Sequence, residues 1–291
     1  MFEILSEMLT FEGMGSLSHF PNLVFLLEVL ALLWLGKLAY GWTSPFKLEH
    51  QMVVADNKAI TLNFTAYLIG LVVILEGVLE GVSDDVLASM CDLAAWGVIG
   101  LVLLLVAGKL NDRLLLVGFK APVEMLERQN LSAALVVAGG YLGSAAMIRS
   151  VVVGETLGWA LDLGLTVFYF ALGQLGLWVY GWLYQRITGY DDLKEIAAGN
   201  PAAGINLGIN LAAMGFLMAL PLRQSYSLVW YLAWFLLGNA TLLGFRFALT
   251  KLIIPSQGLD QEIERDRNWG IACLEGAFSV GAVLVLQNLF G

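Results

Sequence analysis

Two stretches decide the fold: ERQNLSAALVVAGGYLG, Glu127 to Gly143, and ERDRNWGIACLEGAFSVG, Glu264 to Gly281. Each reads as a charged collar, an asparagine, and an apolar run rich in small residues. Asn130 and Asn268 lie 138 residues apart, as do Ala134 and Ala272, Gly143 and Gly281, and Glu124 and Glu262. The same offset joins LAAWGVIG to YLAWFLLG, matching Trp96 with Trp234 and Gly100 with Gly238. Asn57 and Asn63 match Asn200 and Asn206 at an offset of 143, and YGW recurs at Tyr40 and Tyr180. Four matches in the same order mark an internal duplication.

The duplicated unit is a membrane module. Of 291 residues, 59% are hydrophobic and 13% charged, with a mean hydropathy of +0.78, far from the composition of soluble domains. A helix needs roughly 20 apolar residues to cross the hydrocarbon core. Eight such runs are predicted, at 20–42, 58–79, 86–108, 129–149, 156–184, 201–221, 226–249 and 268–290. The fold class is therefore all-α and polytopic, with an N-terminal periplasmic or interfacial segment (1–19), a first four-span repeat (20–150) and a second (151–291). The N-terminal segment carries Glu3, Glu7 and Glu12 and no Lys or Arg, which argues against a cleavable signal peptide.

Lys and Arg set the orientation. With the connections after spans one, three, five and seven in the cytoplasm, 13 of the 15 lie on that side, Arg149 and Arg223 being the exceptions. Both termini are then periplasmic or extracellular. Each copy has an even number of spans, so the repeats run parallel, as a pseudo-dimer about an axis along the membrane normal.

Helices in lipid associate through close packing and interhelical hydrogen bonds. The small residues Gly139 and Gly143, Gly204, Gly208 and Ala212, and Ala277 and Gly281 therefore place spans two, four, six and eight in an inner ring, with the bulkier odd spans outside. Asn63, Asn206 and Asn210 are expected to face protein, as helix-to-helix glue or as part of a pathway.

At this point the chain resembles a known family, the YjfL-like bacterial inner-membrane proteins (domain of unknown function 350), in two tandem copies. The resemblance rests on Asp56-Asn57 opening span two, Asn111-Asp112 after span three, and Glu124 and Asn130 before an alanine- and glycine-rich span four. The second copy keeps Asn200, Glu262 and Asn268 but places Gly199 opposite Asp56 and Thr250 opposite Asp112. The resemblance implies a bacterial inner-membrane location and no defined activity. It also implies gene neighbours of envelope-stress and polyamine-related type.

Charge within a span costs at least about 2.5–3.5 kcal/mol, so such residues are functional candidates. Glu28 and Glu275 are the deepest, and their strongly apolar neighbours predict the protonated form. Asp92 and Asp162 complete the candidate buried carboxylates, and Glu76, Glu80, Asp84 and Asp85 form an outer acidic cluster. Together they describe an outer vestibule that attracts cations and deeper carboxylates that pass them, although the outer cluster reads equally as a solvated loop.

The connections 109–128 and 250–267 mix both signs of charge, and prolines at Pro122 and Pro255 predict short amphipathic segments that dock a cytoplasmic partner or lie in the interface. Nothing resembles a catalytic, cofactor or metal motif, or a basic nucleic-acid surface, and Cys91 and Cys273 read as small hydrophobes. The leading expectation is a channel or a cation- or proton-linked transport component. The competing one is a scaffold that recruits a cytoplasmic complex.

Overall fold

The structure is a computed structural model that describes residues 20–83, 85–152, 157–254 and 258–290. The N-terminal segment 1–19, Asp84 of the acidic cluster and Pro255 lie outside the described residues. Among those described there is no strand, and eight helices are long and apolar enough to cross a membrane. The chain is a multi-pass membrane protein.

The long helices are α1 (Phe20–Thr43), α2 (Lys58–Leu79), α3 (Val86–Leu114), α5 (Leu131–Val152), α6 (Trp159–Ile187), α8 (Pro201–Ala219), α9 (Leu228–Ala248) and α11 (Trp269–Phe290). Three short helices, α4 (Ala121–Glu127), α7 (Asp192–Ala197) and α10 (Leu259–Glu264), and a π-helical turn (His50–Val54) precede α5, α8, α11 and α2 respectively. Spans three and five each end several residues beyond the expected boundary, because α3 runs on through Asn111-Asp112-Arg113 and α6 through Gln185-Arg186-Ile187. Polar residues lengthen a helix beyond the hydrocarbon core without cost.

Each of α2, α5, α8 and α11 begins in the same way. A residue with left-handed backbone, Asp56 (φ 47), Gln129 (φ 50), Gly199 (φ 74) or Arg267 (φ 49), is followed by an asparagine. That asparagine's side-chain oxygen accepts from the first turn: Asn57 from the Ile60 N–H, Asn130 from Ala133, Asn200 from Ala202 and Asn268 from Ile271. This satisfies one of the orphan donors that every helix start carries. The asparagine N–H in turn donates to the carbonyl of Gln51, Glu124, Glu195 or Glu262 in the preceding short element, at 2.9–3.2 Å.

The repeat unit is therefore half the size that the sequence suggested: a long outer helix, a short element and a capped inner helix, four times over. The side-chain amides tie the units into a series. Asn57 Nδ2 donates to the Met125 carbonyl of the next unit at 2.9 Å, Asn130 Nδ2 to Ile196 at 2.9 Å, and Asn200 Nδ2 to Ile263 at 2.8 Å. Asn268 Nδ2 instead turns back to Glu262 Oε2 at 2.9 Å. All four caps lie at one end of the bundle, here called the cap face.

The inner helices form a row in the order α2, α5, α8, α11, and the row does not close, since α2 and α11 share no packed interface. This corrects the expected ring. The centre of the row is the tightest part. A Cβ built on Gly139 would overlap the Gly208 carbonyl, one on Gly204 would lie 2.5 Å from the Ser132 oxygen, and one on Gly143 2.9 Å from the Leu211 oxygen. Backbone thus meets backbone along α5 and α8, the mode of small-residue packing in lipid.

On α11 the equivalent face is empty. A Cβ at Gly281 meets nothing within 4 Å, and α11 makes its contact with α8 through Gly276 against Ile209 instead. The Gly143 face packs forward onto the next inner helix, whereas the Gly281 face packs on none of the described helices. The outer helices α1, α3, α6 and α9 expose Leu27, Trp34, Val102, Phe168, Val229 and Leu236 to lipid, where apolar atoms lose nothing by exposure.

Candidate functional site

The second copy carries a buried ion network at the cap face. Arg246, two residues from the end of α9, and Glu275, two turns into α11, are 9% and 1% exposed. Arg246 Nη1 donates to Glu275 Oε1 and, at 2.8 Å, to the Tyr184 hydroxyl of α6, while Nη2 donates to Asp260 of α10. The Tyr184 hydroxyl donates to Glu275 Oε1 at 2.9 Å, and the guanidinium lies 5.3 Å from the Tyr184 ring centroid. Asp260 Oδ2 also accepts from the Gly189 N–H at 3.0 Å. One guanidinium therefore joins four helices, and a buried charge is tolerated only when it is paired and hydrogen-bonded in this way. Glu275 Oε2 alone has no hydrogen-bond partner.

Below this network the polar groups continue to mid-membrane. Asn206 Nδ2 donates to the Tyr190 hydroxyl at 3.4 Å, Asn210 Nδ2 to the Asn206 carbonyl at 2.9 Å, and Ser279 Oγ to Asn210 Oδ1 at 2.8 Å. The three asparagines expected to face protein do so: Asn63, Asn206 and Asn210 are all buried, and Asn63 Nδ2 donates to the Tyr40 hydroxyl at 3.0 Å. Beyond Asn210 the α8 side of the core is apolar, with Leu211, Met214, Leu217 and Met218 fully buried, and the buried Ser144 of α5 and Gln174 of α6 bond to each other at 2.9 Å rather than to this column. The polar column stops halfway across.

Beside the network, Asp192 of α7 is 1% exposed. Burial pushes its carboxyl up to about 6, against the opposing pull of hydrogen bonds from Thr188 and Tyr190 and of the Arg246 charge.

Other expected sites are rearranged. Glu275 is not isolated but faces Arg246, and the apolar neighbours in its own sequence concealed a cation delivered by another helix. Glu28 is half-buried on α1, with its Oε2 unpartnered, at the opposite end of the bundle from Glu275. Asp92 is exposed and Asp162 half-exposed, so neither is a buried carboxylate. Asp162 Oδ1 accepts from the Leu157 N–H at 3.0 Å, and Asp85 caps α3 through the Ala88 N–H.

The outer vestibule is not a free negative field either. Arg149 pairs with Glu76 and Glu80, and Arg223 lies 3.7 Å from Glu80. The parallel helices α2 and α5 end side by side, which brings those opposite charges together. Glu124 forms an ion pair with Arg128 at 3.4 Å, and Asp112 Oδ1 is buried without a partner. Cys91 and Cys273 are free thiols on the exposed surface. Gly199 replaces Asp56 because the position demands left-handed backbone, not an acid.

Arg246 escaped the sequence reading because it counted only towards orientation. A signal was present: Arg246 stands opposite Gly108, and Glu275 opposite Val137, so cation and anion depart from the duplication together.

The sequence profile of the family described as Domain of Unknown Function (DUF350) matches residues 14–152 and again 158–290. The UPF0719 transmembrane protein YshE of Bacillus subtilis (strain 168) is 25% identical over 128 residues, covering 44% of this chain and 94% of that protein. No solved structure matches the chain.

Proposed function

The chain belongs to the DUF350 family, whose description carries no activity, and from that premise we propose that it is a non-conducting membrane platform that presents its cap face to a cytoplasmic partner. The single observation that carries this reading is the one-sidedness of the molecule. The four asparagine caps, the short helices α4, α7 and α10 and the whole Arg246 network lie at one end, whereas the centre of the row is closed by backbone contact between α5 and α8. A continuous ion path needs polar lining from end to end, and the column below Arg246 ends at Asn210.

The excess of Lys and Arg on the cap side supports a cytoplasmic cap face in a bacterial inner membrane, with both termini on the other side. Ion flux through purified protein in sealed liposomes tests the reading. Flux of protons, potassium or sodium equal to that of empty vesicles is expected, and flux well above it refutes a platform. Recovery of a cytoplasmic partner should then depend on the exposed cap-face charge Arg267, and retention of the partner by Arg267→Glu removes that contact from the reading.

A second reading, cation- or proton-linked transport, is favoured by one observation: an intramembrane carboxylate, Glu275, with one oxygen unpartnered. It requires Glu275→Gln to lower a flux that the wild type possesses.

A further inference from the structure

The first copy has no equivalent of the ion network, and the space is open. A cavity of about 790 Å3 lies at the cap face among α1, α2, α3, α4 and α5, within the range of small-molecule sites. It is lined by first-copy counterparts of the network and of the polar column below it: Gly108 stands where the second copy has Arg246, Pro122 where it has Asp260, and Tyr141 where it has Ser279. We propose that this cavity holds the headgroup of an amine-bearing phospholipid, its ammonium against Asp112 and Asn63 and its phosphate against Lys109, Arg113 and Lys120.

Three observations converge. The inner wall holds two acceptors that the chain leaves unmet: Asp112 Oδ1 and Asn63 Oδ1 are buried and have no hydrogen-bond partner, and Asp112 forms no ion pair among the described residues. A buried, unpartnered carboxylate oxygen calls for a cation with N–H donors. In the second copy the chain supplies that cation itself through Arg246. In the first, Gly108 has no side chain to offer, and the Tyr141 ring crosses the place where one would begin.

The rim is basic. Lys109, Arg113 and Lys120 line the same cavity and are exposed. In the second copy two of these three are replaced, by Phe247 and Gly258, with Lys251 remaining. The loss of the internal cation and the gain of an anion-binding rim therefore occur in one copy. A zwitterion with its cation inward and its anion outward satisfies both.

The remaining wall is apolar, with Leu105, Leu116, Phe119 and Val123 beside these charges, a surface on which the start of a lipid's chains finds apolar cover. A primary ammonium is required, because a quaternary one cannot donate hydrogen bonds.

The test is native mass spectrometry of the delipidated full chain, titrated with dimyristoyl-phosphatidylethanolamine, -phosphatidylcholine and -phosphatidylglycerol, and with soluble phosphoethanolamine. The ethanolamine lipid should bind about tenfold more tightly than either other lipid, a difference of about 1.4 kcal/mol. Asp112→Asn, isosteric and neutral, should erase that preference. The exposed-site double variant Lys109→Gln/Arg113→Gln should instead weaken the ethanolamine and glycerol lipids alike. Equal binding of the three lipids by the wild type, or an undiminished ethanolamine preference in Asp112→Asn, overturns the proposal. Soluble phosphoethanolamine that binds as tightly as the lipid overturns the lipid assignment and makes the ligand a free amine-phosphate.

Discussion

Arg246→Met and Glu275→Gln remove opposite sides of one contact, yet their costs should differ. Arg246 serves three partners: Glu275, Asp260 and the Tyr184 hydroxyl. Without it, Glu275, 1% exposed, keeps only the donor from Tyr184. Leaving a buried charge uncompensated costs about 3–5 kcal/mol. Glu275→Gln preserves the shape and the acceptor for Tyr184, and Arg246 keeps Asp260, whose side chain is 38% exposed and partly solvated. What is lost is one charge-assisted hydrogen bond, about 1.5–3 kcal/mol. The double variant Arg246→Met/Glu275→Gln removes both charges together, so that no carboxylate is left buried without its cation and the penalty of breaking the pair disappears. Its cost should fall below the sum of the single effects by about 2 kcal/mol or more. Unfolding in mild detergent by titration with a denaturing detergent, followed through the nine tryptophans, measures all four corners of the cycle. The reasoning is refuted if Glu275→Gln costs as much as Arg246→Met, or if the two effects simply add.

Gly139→Ala should destabilise the bundle by about 1–3 kcal/mol or more, since its Cβ would overlap the Gly208 carbonyl. Gly281→Ala, where a Cβ meets open space, should be neutral or stabilise by up to about 1 kcal/mol through helix propensity; the same unfolding assay separates them. Asp192, pushed up to about 6 by burial, binds a proton more readily folded than unfolded. Its contribution to stability is therefore full below pH 4 and is lost as pH rises through 6, by about 3 kcal/mol at most. Thermal midpoints taken from pH 4.5 to 7.5 should fall more steeply in the wild type than in Asp192→Asn, and parallel profiles would falsify that assignment.

Span number, the duplication and the inner position of the even helices were legible because each rests on many residues: runs of about 20 apolar positions, and glycine or alanine repeated every fourth residue. The fourfold unit was not. Its signature is a Gln or Glu, then Met or Ile, then an asparagine cap: Gln51-Met52 with Asn57, Glu124-Met125 with Asn130, Glu195-Ile196 with Asn200, and Glu262-Ile263 with Asn268. Three conserved chemical types in seven residues, with one spacing shortened by a residue, fall below what a comparison of halves detects. The open row was invisible for another reason. A stripe of small residues says which face of a helix permits close approach, not whether a neighbour exists there, and Gly281 has the stripe without the neighbour.

The parts of the unit that are retained and the parts that have diverged differ in what they recognise. The asparagine caps bind backbone N–H and carbonyl groups, which every residue carries, so the sequence around them can drift without disturbing them. The cap-face interior is held by side chains that fill a common volume, and there a change on one helix requires a change on its neighbour. Gly108 and Tyr141 in the first copy stand where Arg246 and Ser279 stand in the second, so the large residue sits on α5 in one copy and on α9 in the other, and the Tyr141 hydroxyl fills the space beside Gly108. An arginine introduced at Gly108 alone would run into the Tyr141 ring. Conversion of one copy's interior to the other's therefore needs at least two simultaneous substitutions, and a barrier of that kind keeps the closed, ion-paired copy and the open, cavity-bearing copy distinct within one otherwise repeated frame.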